Sequence, residues 1–260
     1  MAGLSRALGV KIALLVAYDG TGFRGFARQR SVRTVQGVLE ERLSLLLRAH
    51  IETTGAGRTD AGVHAWGQVM SFVCDDTVDP RLIRDRVNKM LAPEIVVRAA
   101  VPVPESFDAR FSATRREYEY RVLHSDTPDP FLDRFVLWVP STLSIVRMRA
   151  GARALIGEHD FSSFCRRGQA SLVRRLRAVT IVSAGDLRTF KVKADSFCHQ
   201  MVRSIVGLLL DVGMGKRSPE EVAAVLEARD RAAAGRIAAA KGLHLVRVRY
   251  RPDPFSAVQR

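Results

Sequence analysis

The sequence predicts an α+β protein made of two α/β halves, residues 1–109 and 110–260. Three observations lead there. From Lys11 to Val103 the apolar pattern runs β-α-β-α-β, and a further short strand around Ile51–Thr54 would make it β-α-β-β-α-β, the ferredoxin-like order. The second half echoes that order coarsely, without a residue-level repeat. Between the halves, "VPVPESFDARFS" carries two prolines that interrupt the pattern.

The elements follow in order. "KIALLVAYDG" is an apolar run closed by Asp-Gly, a buried strand and its turn. In "TVQGVLEERLSLLLRAH", Val35, Val38, Leu39, Leu43 and Leu46 stand at helical spacing behind the cap residue Thr34. "GQVMSFVC" is a strand. "DPRLIRDRVNKMLA" is a helix with Asp79 as cap and Pro80 at its first position. "EIVVRAAVPV" and "REYEYRVLH" are strands, and "STLSIVRMRAGARALIG" is a helix. "RRLRAVTIVSAGDLRTFKVKADSF" holds two strands about a Gly-Asp turn. "CHQMVRSIVGLLLDVGMG" reads as an amphipathic helix, and "SPEEVAAVLEARD" as a surface helix starting from Ser218, Pro219 and Glu220. "GLHLVRVRY" closes the chain as a strand.

Lys+Arg is 41 against Asp+Glu 27, so the chain carries +14. Such a field favours polyanions, nucleic acid above all; the alternative is a soluble basic surface with no partner. No apolar run reaches the ~18 residues of a membrane span. "MAGLSRALGV" is too short and too weakly apolar for a secretion signal and reads as a cytosolic N-terminus. Cys74, Cys165 and Cys198 lie 91 and 33 residues apart, which argues against a disulfide framework and a zinc site and fits a reducing compartment.

"GTGFRG" matches GxGxxG, but no helix opens at once, and the acidic residue about 20 positions on falls mid-helix at Glu40 or Glu41. A phosphate-contacting loop with Arg24, Arg28 and Arg30 is the better reading. "GAGRTDAGVHA" sets Arg58 and Asp60 among small residues. It is either a plain turn, or a stiff loop that lets a planar ligand approach a nucleophilic carboxylate. Such a carboxylate must stay ionised, which a nearby guanidinium favours. Tyr118 and Tyr120 share a strand face, either as a base-stacking platform or as two half-buried tyrosines. His199 and Arg203 stand four apart on one helix face, and Arg203 either seeks a carboxylate or snorkels to solvent.

Together these blocks, with "RFSAT", "KGLHLVRVRY", "YDGTGFRGFARQ" and "TVQGVLEERL", resemble the TruA-type tRNA pseudouridine synthases from about Lys11 to Tyr250. The resemblance implies two halves whose mixed, largely antiparallel sheets join across a central active-site cleft. It implies Asp60 as the catalytic aspartate with Arg58 in the same loop, and Tyr118 as the tyrosine stacking on the target uracil. Arg203 would pair with the aspartate and Leu245 would line the pocket. It also implies a homodimer, with one tRNA reaching across both subunits, acting on uridines 38, 39 and 40 of the anticodon stem-loop; a cytoplasmic location is expected from the N-terminus and the cysteine usage. One departure stands out: the family often reads G-W-Q-x-Q where this chain has "GFARQ", so Phe26 and Ala27 replace tryptophan and glutamine.

The implied isomerisation moves ribose from N1 to C5 of one uracil. It needs no redox change, energy source or incoming group, so no cofactor and no metal is expected. The carboxylate acts either at C1′ or at C6, and the base that removes the C5 proton is open, Tyr118 being one candidate. Arg24, Arg28, Arg30, Arg166, Arg167 and Arg174 are candidates for phosphate contacts that offset base flipping. Two other classes compete. A non-catalytic RNA-binding module would show a basic and aromatic RNP1-like strand, which is missing. An N-glycosyl hydrolase would bring two carboxylates where only Asp60 stands in a motif.

Overall fold

A computed structural model describes residues 9–75, 78–166 and 171–257. It is a mixed α+β protein in two compact units. One is Met1–Thr114 with Arg247–Arg260, the other Arg115–Val246. The N-terminal residues 1–8, on which the cytosolic reading of "MAGLSRALGV" rests, lie outside the described residues, as does Arg167.

The first unit opens with β1 (Val10–Tyr18), whose residues Ile12 to Val16 are buried. Thr34 caps α1 (Val35–Leu47) by accepting from the Gly37 N–H at 3.2 Å. The short strand expected near Ile51–Thr54 is β2 (Thr54–Gly55). β3 (His64–Cys74) begins inside the glycine-rich stretch, earlier than the sequence suggests. Asp79 caps α2 (Pro80–Leu91), accepting from Arg81 N–H at 2.8 Å, and β4 (Ile95–Val103) follows. The strands lie in the order β4-β1-β3-β2, each antiparallel to its neighbour. α1 packs with α2, and α2 lies against β4.

The second unit starts with β5 (Arg115–Leu123), against which the two-residue β6 (Leu137–Trp138) pairs in parallel. α3 (Ile145–Arg153) leads to β7 (Gly157–Asp160). β8 (Val173–Ala184) and β9 (Leu187–Ala194) form the expected hairpin about Gly185 and Asp186. The order is β5-β9-β8-β7, antiparallel throughout. α4 (Met201–Gly213) is buried almost all round, so the amphipathic reading is corrected: its small residues Ser204, Gly207 and Gly213 are packed inward too. α5 (Glu221–Ala228) opens with a reciprocal box, Ser218 N–H donating to Glu221 Oε2 at 2.5 Å and Glu221 N–H to Ser218 Oγ at 3.4 Å. β10 (Leu243–Arg249) carries the chain out of this unit and back to the first. No helix among the described residues is long and apolar enough to cross a membrane.

Candidate active site

Asp60 sits half-buried in the loop between β2 and β3, and Arg58, two residues earlier, is exposed. The loop is tied down on several sides. Ala56 N–H donates to the Val69 carbonyl at 2.8 Å, and Gln68 Nε2 to the Gly57 carbonyl at 2.8 Å. Phe26 N–H donates to the Thr59 carbonyl at 3.0 Å, and the Tyr18 and Thr59 hydroxyls meet at 2.8 Å. Val63 N–H closes back on the Asp60 carbonyl at 3.1 Å. Two glycines are required. A Cβ at Gly55 would stand 2.3 Å from the Phe26 ring, and Gly62 has φ +77°. The buried His64 accepts the Gly20 N–H on Nδ1 at 3.0 Å, which fastens the Asp-Gly turn after β1 to this loop. So Asp60 does not ride on a loose turn.

Phe26, one of the two departures from the family pattern, is 2% exposed and stacks on Tyr18 with centroids 6.2 Å apart. Its ring supports the loop from beneath and is turned away from solvent. Arg24, Arg28 and Arg30 are exposed in the segment after β1. Arg28 is also engaged inward, its Nη1 on Glu40 Oε2 at 2.9 Å. In the same segment the Arg33 guanidinium pairs with Glu94 at 2.8 Å and covers the Phe23 ring at 4.3 Å. That hydrogen bond holds the Glu94 carboxyl below the usual carboxylate range.

In the second unit Tyr118 and Tyr120 do share an inward face, 9% and 0% exposed. Phe197 meets the Tyr118 ring edge-on, centroids 5.0 Å apart at 86°. The Tyr120 hydroxyl donates to the Ala239 carbonyl at 2.8 Å. Burial pushes the Tyr120 phenol well above its ordinary value, against the opposing charges of Arg203 and Arg236. Arg203 lies in the first turn of α4, half-buried, with Nε donating to the Ala238 carbonyl at 2.8 Å while Ala238 N–H returns to the Arg203 carbonyl at 3.1 Å. The Nε bond turns the guanidinium toward the Ala238 segment, and the main-chain bond holds that segment against the start of α4. Leu245, in β10, is 1% exposed.

Two expectations change here. His199 does not share a helix face with Arg203, because Gln200 takes a left-handed conformation (φ 68°) and α4 begins only at Met201. Cys165 and Cys198 are brought together as a pair, their Cα atoms 5.8 Å apart, where the spacing argued against a disulfide framework. The chain between them returns through the β8–β9 hairpin, which spacing alone does not reveal. Arg174 turns its Nη1 to the Ser171 and Val173 carbonyls at 2.8 and 2.7 Å, alongside any phosphate role. Sequence reasoning missed Tyr18, Thr59, Gln68 and His64 as the mount of Asp60. The signal was present in "YDG" and in the histidine of "GVHA", but the partners come from distant segments.

A family model described as tRNA pseudouridine synthase matches residues 14–112 and 152–251. The tRNA pseudouridine synthase A of Dinoroseobacter shibae is 44% identical over 255 residues, 94% of this chain and 98% of that protein. The enzyme of the same name from Frankia casuarinae is 43% identical over 255 residues, covering 96% and 93%. That of Pseudothermotoga lettingae is 40% identical over 237 residues, covering 90% and 97%. A chain of a solved archaeal box H/ACA sRNP Nop10-Cbf5 complex covers 82% of this chain and 47% of its own, at 13% identity and a TM-score of 0.37, a likeness too slight to bear on the fold. With the motif blocks, the family match and these full-length relatives in agreement, the chain belongs to the TruA family of tRNA pseudouridine synthases.

Proposed function

We propose that the chain isomerises uridine to pseudouridine at positions 38, 39 and 40 of the tRNA anticodon stem-loop, with Asp60 as nucleophile. The observation that supports it most is the mount of Asp60: a single carboxylate in the signature loop, braced by Phe26, Tyr18 and Gln68. A carboxylate that must form and break one bond to a flipped nucleotide gains from being held still. On one route an Asp60 oxygen bonds to C1′ as the N1–C1′ bond breaks and uracil keeps the electron pair. The base turns, C5 bonds to C1′ as the carboxylate leaves, and loss of the C5 proton restores the ring. On the other route the carboxylate adds to C6 first.

Tyr118 serves as the stacking platform for the uracil in this account, and Leu245 as part of its apolar lining. Arg203 serves as the cation for Asp60, its plane preset by the Ala238 carbonyl. Arg58, Arg24 and Arg28 contact the RNA. The two units correspond to the two ferredoxin-like halves of the pseudouridine synthase fold. The first has the 4-1-3-2 strand order of that half, and the second shares the corresponding β5-β9-β8 run. The enzyme works in the cytoplasm as a homodimer.

The test maps product on RNA. An anticodon-arm transcript with uridines at the three positions is incubated with the protein, treated with a carbodiimide that marks pseudouridine, and read by reverse transcription. Stops at those positions are expected. Stops elsewhere, or none, would contradict the assignment.

A further inference from the structure

Glu40 belongs to no catalytic block, yet its carboxylate is buried in the first unit, with residue exposure of 3%. Burying a carboxylate is costly unless its lone pairs are filled. Here they are. Oε1 accepts from the Thr53 N–H at 2.9 Å, the Thr53 hydroxyl at 3.0 Å and the Gln36 amide at 3.1 Å. Oε2 accepts from Arg28 Nη1 at 2.9 Å. Gln36, one turn earlier on the same face of α1, doubles the grip. Its Nε2 donates to the Thr53 carbonyl at 2.8 Å, its Oε1 accepts the Arg28 N–H at 3.1 Å, and its own N–H donates to the Phe26 carbonyl at 2.9 Å.

These bonds reach two segments only. One is Thr53, which leads into β2 and the Asp60 loop. The other is Phe26 to Arg28, and Phe26 in turn donates its N–H to the Thr59 carbonyl, one residue before Asp60. An apolar side chain at position 40 would fill the same space, and a buried ion pair is often no more stable than such a replacement. Stability alone therefore does not account for a charge here. A carboxylate, unlike a leucine, sets one peptide and one guanidinium in register with each other.

We propose that Glu40, acting with Gln36, is a positioning residue for Asp60. The pair sets the entry to the loop at Thr53 and, through Phe26, the Thr59 peptide just before Asp60, while Glu40 holds Arg28 with 60% of its side chain still open to solvent. The inference rests on Asp60 being the nucleophile.

The experiment compares wild type with Glu40→Gln and Glu40→Leu. It reads the single-turnover rate of tritium release from tRNA labelled at uridine C5, tRNA affinity, the thermal midpoint, and hydrogen exchange at the Phe26 and Ala56 amides. Glu40→Gln keeps an acceptor for Thr53 but turns an amide toward Arg28. Its rate should fall about tenfold or more, with affinity within about threefold, as misplacement of a reacting group does. Glu40→Leu should fall further while staying folded. The two loop amides should exchange faster in both variants while those of α2 do not. An unchanged rate, or loop amides as protected as in wild type, would overturn the proposal. If wild type itself releases no tritium, the nucleophile reading fails. The exchange arm then decides alone whether Glu40 holds this loop.

Discussion

The hydroxyls of Tyr18 and Thr59 meet at 2.8 Å in a buried site, one residue before Asp60. Tyr18 ends β1, so this bond couples the loop to a strand whose middle is fully buried. The Tyr18→Phe variant keeps the ring on Phe26 and removes the partner of Thr59 Oγ1. It should lose about 1–2 kcal/mol of stability, measured by denaturant unfolding. Its rate should fall more than its tRNA affinity. A full rate in a destabilised variant would mean that the other ties suffice.

Gly55 faces the Phe26 ring so closely that no side chain fits without movement. Gly55→Ala should cost about 1–3 kcal/mol by overpacking. Phe26 also supplies the main-chain amide that holds Thr59, so activity should drop with stability. A thermal midpoint equal to wild type would show that Phe26 shifts freely.

Arg203 donates its Nε–H to the Ala238 carbonyl, which orients the planar guanidinium. Lysine has no such fork. Arg203→Lys should keep the fold, by circular dichroism, and lower the tritium-release rate about 100-fold, the scale of losing one aimed charge-stabilising donor. A rate within threefold of wild type would remove Arg203 from the proposed chemistry.

Tyr120 makes stability depend on alkaline pH. Burial raises its folded pKa above the unfolded value of 10.0, so above that pH the unfolded chain sheds a proton that the native state keeps. Its contribution is fully present below pH 10 and is lost as pH rises toward the folded value. Unfolding free energy should therefore fall more steeply above pH 10 in wild type than in Tyr120→Phe. Equal slopes would contradict the burial argument.

The sequence was most legible where a local rule acted alone. Thr34 and Asp79 announced their helices because a cap and the periodic apolar face behind it are adjacent in sequence. Gly185 announced the β8–β9 hairpin for the same reason. β7 was not legible, because "GEHD" carries no apolar alternation and is a strand only by pairing with β8. α4 looked two-sided because small residues score as polar, while packing uses them as space for neighbours. In the site, Asp60 was visible from its motif. Glu40 was not, because a glutamate on a helix reads as solvated until Thr53 and Arg28 arrive from elsewhere in the chain. The cysteine pair was hidden likewise.

The most direct measurement incubates wild type and Asp60→Asn with tRNA carrying tritium at uridine C5. It counts label released to water, with tRNA binding followed by filter retention. The account predicts release by wild type, none above background by Asp60→Asn, and equal binding by both. Undiminished release by Asp60→Asn would contradict the central claim that this carboxylate, on its braced loop, performs the reaction.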